Sequence, residues 1–335
     1  MKEISLTGIK PTGDLHIGNY FGAIRPALEL AATYDARYFI ADYHGLNTMK
    51  SSEELRTATR QVAAGWLAAG LDPEKVIFYR QSSIPEIFEL STMLAAFTAK
   101  GLMNRAHAYK DAVQKNRERG EDPDAGVNVG LFTYPVLMAA DIIAFDSDVV
   151  PVGKDQVQHI EMAQDIAGSV NANYGGAVLK VPRAVIQENV ALVPGLDGRK
   201  MSKSYDNTVP LFAPEAALRK TIMRIATNSQ AVDEPKDPET SQIFQLYQLF
   251  ADKAEQEALA ARYRSGGMGW GHAKEALFAV ADRTLAPMRE RYRAILEDIP
   301  ALERILALGA EKARPIAAGT LARFRKAAGV DGPSS

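Results

Sequence analysis

Glu3-Ile4-Ser5-Leu6-Thr7-Gly8-Ile9-Lys10-Pro11-Thr12-Gly13-Asp14-Leu15-His16-Ile17-Gly18-Asn19 opens the chain with two patterns in succession. Glu3 to Ile9 alternates polar and apolar residues, the period of a strand, and Pro11 and Gly13 then break it. Apolar residues recur at helical spacing from Gly18 to Ala32, so the order is strand, glycine-containing loop, helix. The next units repeat that order. Arg37 to Ala41 reads as a strand, Ser51 with Glu54 as a capping box opening a helix that ends at Gly70, and Val76 to Tyr79 as a third strand. Strands alternating with helices of this length predict an α/β fold with a doubly wound parallel sheet, whose ligands sit beyond the carboxyl ends of the strands. The loop after the first strand is therefore the first place to look for a site.

Further along, Asp148 to Val152 reads as another strand and Gln156 to Ala172 as a helix. Past Asn207 the pattern changes: Ala, Leu, Glu and Arg at helical spacing dominate from Ala213 to Ala328, broken by the glycine cluster Gly266 to Gly271. That predicts a mostly helical second domain, in keeping with a chain of 335 residues, which is long for a single core. With no cysteine, disulfides, thiolate metal sites and cysteine nucleophiles are excluded. Met1 to Ile9 lacks the basic flank and apolar stretch of a signal peptide. The most apolar run, Gly130 to Phe145, contains Pro135 and Asp141 and falls short of the ~20 residues that a bilayer span needs. No membrane association and a cytoplasmic location are expected. A net charge of −2 gives no general basic field, so any RNA contact has to come from local patches. Lys100, Arg105, Lys110, Lys115, Arg117 and Arg119 form one such cluster, which from charge alone reads equally as a solvated helix face.

Two short motifs carry chemistry. In the first loop, glycines let the backbone approach a nucleotide, and the helix start offers free N–H groups to phosphates, with His16 and Asn19 facing that ligand. Alone, such a string also suits a glycine-rich turn with a satisfied histidine. Lys200-Met201-Ser202-Lys203-Ser204, after the turn Pro194-Gly195-Leu196-Asp197-Gly198, is more specific. Two lysines on a loop can neutralise charge that builds on a departing pyrophosphate.

Together, His16-x-Gly18-Asn19 after strand one and Lys200 to Ser204 after the nucleotide-binding fold resemble the paired ATP motifs of class I aminoacyl-tRNA synthetases. Nucleotidyltransferases of coenzyme biosynthesis share the sheet and the first motif but lack the second loop and the helical tail. Within class I, a chain without an inserted editing domain points to the tyrosyl and tryptophanyl pair. Thr133 to Ile142, followed by Asp148 to Glu161, is similar to the tryptophanyl family, and the similarity extends to Gly309-Ala310-Glu311-Lys312-Ala313. The resemblance implies a Rossmann-like catalytic domain over 1–207, a helical tRNA anticodon-binding domain over 208–306, and a C-terminal helix over 307–330 packing back on the catalytic domain. A tyrosyl enzyme, or a non-catalytic RNA-binding derivative, remains the alternative reading.

The expected substrate fits the residues. Tryptophan presents one polar side-chain group, an indole N–H that only donates, so its pocket needs an acceptor within apolar walls. Asp141 suits that role, and Tyr134, Met138, Asp141 and Ile142 fall at i, i+4, i+7 and i+8, one face of a helix. The resemblance adds Leu6, His44, Val150 and Val152 as walls, and Gln156 with Tyr134 as binders of the substrate amino group. His107 and His159 are given no role.

The implied reaction is activation of tryptophan by ATP, then transfer of tryptophan to the 3′ end of tRNA(Trp). Lys200 and Lys203 are expected on the pyrophosphate side, His16 and Asn19 on the ATP phosphates or ribose. By resemblance, Lys10, Pro11, Thr12, Gly18, Gly153, Lys154, Asp155 and the backbone near Ala191, with Met201, Ser202 and Ser204 of the second motif, complete the nucleotide site. Mg2+ accompanies ATP as part of the substrate and needs no dedicated protein site. A homodimer is also implied. One departure is Lys10, where the family often has glutamine: a cation there adds charge beside the triphosphate or the substrate carboxylate, which would alter nucleotide affinity or inhibitor sensitivity.

Overall fold

The structure, a computed structural model, describes residues 2–153, 156–186 and 193–331. Among them, strands β1 (Ile4–Ile9), β2 (Asp35–Ile40), β3 (Ile77–Arg80), β4 (Val149–Val152) and β5 (Arg183–Ile186) form one parallel sheet in the order β3-β2-β1-β4-β5. The chain builds outward from β1 to β3, then returns to the other side of β1, so the topological switch lies between β1 and β4. This is the α/β architecture that the alternation predicts. β1 and β2 stay in register from Ile4↔Asp35 to Ile9↔Ile40, whereas β1 and β4 are registered only at Ser5↔Val149. Asp148 fastens that amino-terminal end: its carboxylate accepts the Ile4 N–H at 2.9 Å, and its own N–H donates to the Ile4 carbonyl at 2.9 Å. Toward their carboxyl ends the two strands continue without ladder pairing, and the opening between them is available to a ligand.

Helical segments follow the strands. α1 (Ile17–Asn19) continues through a π-helical turn over Tyr20–Ile24 into α2 (Arg25–Thr33), and Pro26 sits just past that turn, where its missing N–H interrupts the helical ladder. α3 (Asp42–Gly45) leads to α4 (Ser52–Ala68). Ser51 caps α4 by accepting the Glu54 N–H at 3.3 Å, which is the serine half of the expected capping box. α5 (Glu86–Ala95), α6 (Lys100–Met103), α7 (His107–Glu118), α8 (Val129–Ile143) and α9 (Val157–Asn173) complete the sheet's surroundings. α10 (Glu215–Met223), α11 (Gln242–Phe250), α12 (Lys253–Ser265), α13 (Trp270–Glu297) and α14 (Ile299–Ala328) form the helical remainder, with the Gly266–Gly271 cluster at the α12–α13 junction. Among the described residues no helix is long and apolar enough to cross a membrane.

Strand periodicity sorts the core into two layers. Tyr38, Ile40 and Phe78 pack on one face with Val62 and Trp66 of α4, and that cluster runs on without a break through Leu246 and Leu285 to Leu306. Leu6, Phe39 and Tyr79 pack on the other face with Ile87, Ala139, Ile160 and Phe324. The 306/307 boundary falls inside α14, a single helix that reaches the sheet just past that point: a Cβ on Gly309 would lie 1.7 Å from the Phe78 carbonyl oxygen. Only glycine lets helix and strand backbones approach that closely.

Candidate active site

A cavity of about 530 Å³ opens at the carboxyl ends of β1 and β4. Its walls are Leu6 of β1, Val150 and Val152 of β4, and Tyr134, Met138, Asp141 and Ile142 along one face of α8, with His44 and Gln156 at its edge. All nine residues that the sequence reading assigns to tryptophan thus surround one space. Leu131, Phe39 and Ala41 add apolar wall that the reading did not name. α8 is started by Asn128, whose side chain accepts the Leu131 N–H at 2.8 Å, and Pro135 lies inside it, where its missing N–H removes one bond of the helical ladder.

Asp141 is 1% exposed. Its two carboxylate oxygens lie 2.8 and 2.9 Å from Nε2 of Gln81, and Oδ2 lies 3.1 Å from Nε2 of His44. Burial pushes its carboxyl above the usual range, while His44 and Gln81 pull it back by bonding to the ionised form. Gln81 is fully buried and its own Oε1 accepts the Tyr43 N–H at 3.2 Å. Sequence reading missed Gln81, because nothing local marks a residue at the end of β3 as the partner of one 60 positions away. Beside it, Asp42 accepts from the Ser82 N–H and hydroxyl, and burial raises its carboxyl too. Tyr134 meets Nε2 of His159 at 2.6 Å through its hydroxyl, which gives His159 a positioning contact to the cavity wall.

The two motifs meet. Nζ of Lys203 donates to the Thr12 carbonyl at 2.5 Å. The Ile17 N–H donates to Val209 at 3.0 Å and the Leu211 N–H to Leu15 at 2.9 Å, so the segment after the second motif runs along the first loop. His16 is 9% exposed, and burial, then the Lys203 charge, drive its imidazole down to about 4. Partial burial lowers Lys203 as well. Gly18 keeps the imidazole in place, since a Cβ there would lie 2.9 Å from His16 Nδ1. Asn19 spends its Oδ1 on the His16 N–H at 3.0 Å, a capping contact, which leaves its amide nitrogen for a ligand. Lys10 and Gly153 line the cavity beside the tryptophan set, and burial lowers the Lys10 ammonium. Pro11 is buried against Gly45.

Within the second motif the roles divide. Met201 is 5% exposed and packs its side chain into the core, so it anchors the loop. Ser202 accepts the Ser204 N–H at 3.3 Å, and Ser204 itself is exposed. Asn207, another residue the sequence reading did not single out, brackets the loop: its Oδ1 accepts the Ser202 N–H at 2.8 Å, and its Nδ2 donates to the Lys200 carbonyl at 3.2 Å and to Asp197 at 2.7 Å. Lys200 is held through its backbone. Lys154, Asp155 and Ala191 lie outside the described residues. Among the described residues no group of three or more His, Asp or Glu side chains stands together to hold a metal ion. The basic cluster from Lys100 to Arg119 lies exposed along α6, α7 and their flanks.

The family described as tRNA synthetases class I (W and Y) matches residues 2–286. The tryptophan–tRNA ligase of Pseudomonas aeruginosa is 53% identical over 329 residues, covering 97% of this chain and 73% of that protein. That of Xanthomonas campestris is 50% identical over 333 residues, 98% and 77% of the two chains. A crystal structure of tryptophanyl-tRNA synthetase from Campylobacter jejuni, complexed with ADP and tryptophan, superposes with a TM-score of 0.90 at 44% identity, covering 97% of this chain and 99% of that one.

Proposed function

The chain belongs to the class I tRNA synthetases of the tryptophan and tyrosine type, and on that premise we propose that it ligates tryptophan to tRNA at the cavity ended by Asp141. The observation that carries the reading is that cavity: apolar walls, space for an indole, and one buried carboxylate at its end. A donor-only indole N–H complements it, and a substrate without that donor would leave a desolvated carboxylate unmatched.

The tryptophan carboxylate attacks the α-phosphorus of ATP; the new C–O–P bond forms as the bond to the β-phosphate breaks, and pyrophosphate leaves. Catalysis consists of holding two anions in line and absorbing charge on the leaving group. Lys200 and Lys203 take the leaving side, with Lys203 already seated against the first loop. His16, neutral near pH 7, offers a hydrogen bond and no second charge to the phosphates. Magnesium enters with ATP as part of the substrate. In the second step a hydroxyl of the terminal adenosine of tRNA, the 2′-hydroxyl by the class I pattern, attacks the carbonyl carbon of tryptophanyl-adenylate, releasing AMP and a proton. The tryptophan amino group is bound by Tyr134 and Gln156.

The domain assignment belongs to the same reading: 1–207 catalytic, 208–306 for the anticodon, and 307–330 returning to the catalytic domain. So do a homodimer and a cytoplasmic location. Exchange of labelled pyrophosphate into ATP tests the function. Exchange supported by tryptophan but not tyrosine is the expected result, and exchange supported by tyrosine alone, or by neither, overturns the reading.

A further inference from the structure

We propose that Gln81 is a positioning residue that leaves the Asp141 carboxylate a single acceptor lone pair, on Oδ1, and thereby makes the cavity select for a ring N–H. The inference rests on the reading that Asp141 receives the indole donor, and it deepens that reading.

A carboxylate has about four acceptor positions, two on each oxygen. The Gln81 nitrogen sits almost midway between the oxygens, at 2.8 and 2.9 Å, and so occupies the inner lone pair of each. Nε2 of His44, 3.1 Å from Oδ2, takes the outer position of that oxygen. The outer position of Oδ1 is left. The amide cannot turn over: its oxygen accepts the Tyr43 N–H, and a flip would set a carbonyl against a carboxylate and an NH2 against an N–H. Gln81 is fully buried, at the end of β3, and the following residue is tied down as well, since the Ser82 N–H and hydroxyl both bond to Asp42. Asp141 is thereby kept from rotating about its χ2, and its ionised form is supported where burial opposes it. Without the amide donor the carboxylate can take up a proton or turn, and in either case it ceases to be an obligate acceptor.

The test compares tryptophan with its benzothiophene isostere, in which sulfur replaces the ring N–H, by pyrophosphate exchange in the full-length parent, Gln81→Met, Gln81→Asn and Asp141→Ala. Met keeps length and removes the donor; Asn keeps the amide but is too short to reach, and it serves if Met perturbs folding. In both Gln81 variants the ratio of kcat/KM for tryptophan over the isostere is expected to fall by about tenfold or more, the size of a lost buried polar match. The fall should be carried by KM for tryptophan, with KM for ATP and kcat/KM for the isostere unchanged, a split that loosened packing would not produce. A ratio that collapses in Asp141→Ala but survives in both Gln81 variants overturns the inference alone. A ratio unchanged in Asp141→Ala overturns the reading of Asp141 and the inference with it.

Discussion

Nζ of Lys203 donates to the backbone carbonyl of Thr12 at 2.5 Å, joining the second ATP loop to the first across 191 positions of sequence. The first loop thus holds the Lys203 amine, and in the proposed reaction that amine moves from a carbonyl to a phosphate oxygen with little reorganisation.

Removal of that amine should be felt in the transition state. Lys203→Ala is expected to lower kcat for pyrophosphate exchange by about 100-fold with little change in KM for tryptophan, as for loss of one preorganised donor. Steady-state kinetics at saturating ATP checks this.

Gly18 lies where a methyl group would press on the His16 imidazole, 2.9 Å from Nδ1. Gly18→Ala is expected to displace the ring and cost up to about 100-fold in kcat/KM for ATP, the scale of an ångström of misplacement. The folded state should survive, which circular dichroism would show.

The sign of the pH dependence follows from His16. Its folded value, about 4, lies below the ordinary imidazole value of 6.5, so the folded state binds fewer protons than the unfolded chain between the two. This contribution to stability is fully present above pH 6.5 and is lost as pH falls toward 4. Chemical denaturation across that window should show a steeper decline in the parent than in His16→Gln. The kcat/KM profile should show no inflection from His16 between about pH 5 and 8.

α14 should be intolerant at one point. Gly309→Ala would place a Cβ 1.7 Å from the Phe78 carbonyl oxygen, and the helix would have to lift from β3. A loss of about 1–3 kcal/mol in unfolding free energy is expected, as for other overpacked sites, measured by denaturant titration.

Local pattern carried most of the α/β frame. β1, β2 and the first helix could be read within a residue or two because their periods are long enough to count. β5 was not read: Arg183–Ile186 is four residues at the sheet edge with mixed exposure, too short to show a period. The π-turn over Tyr20–Ile24 leaves the helical spacing nearly intact and so hides in it. In the site, α8 displayed its face directly, since Tyr134, Met138, Asp141 and Ile142 share it by spacing alone. Gln81 and Asn207 gave no such sign. Their importance comes from what tertiary folding sets against them, a carboxylate on α8 and the backbone of the lysine loop, and a lone buried amide carries no pattern along the chain.

The most direct measurement is a crystal structure of the protein with tryptophan and a non-hydrolysable ATP analogue. The account predicts the indole nitrogen within about 3.2 Å of Asp141 Oδ1, with Gln81 Nε2 still between the two carboxylate oxygens and the triphosphate beside Lys203. An indole bound elsewhere, or in this cavity with its nitrogen turned away from Asp141, would contradict it.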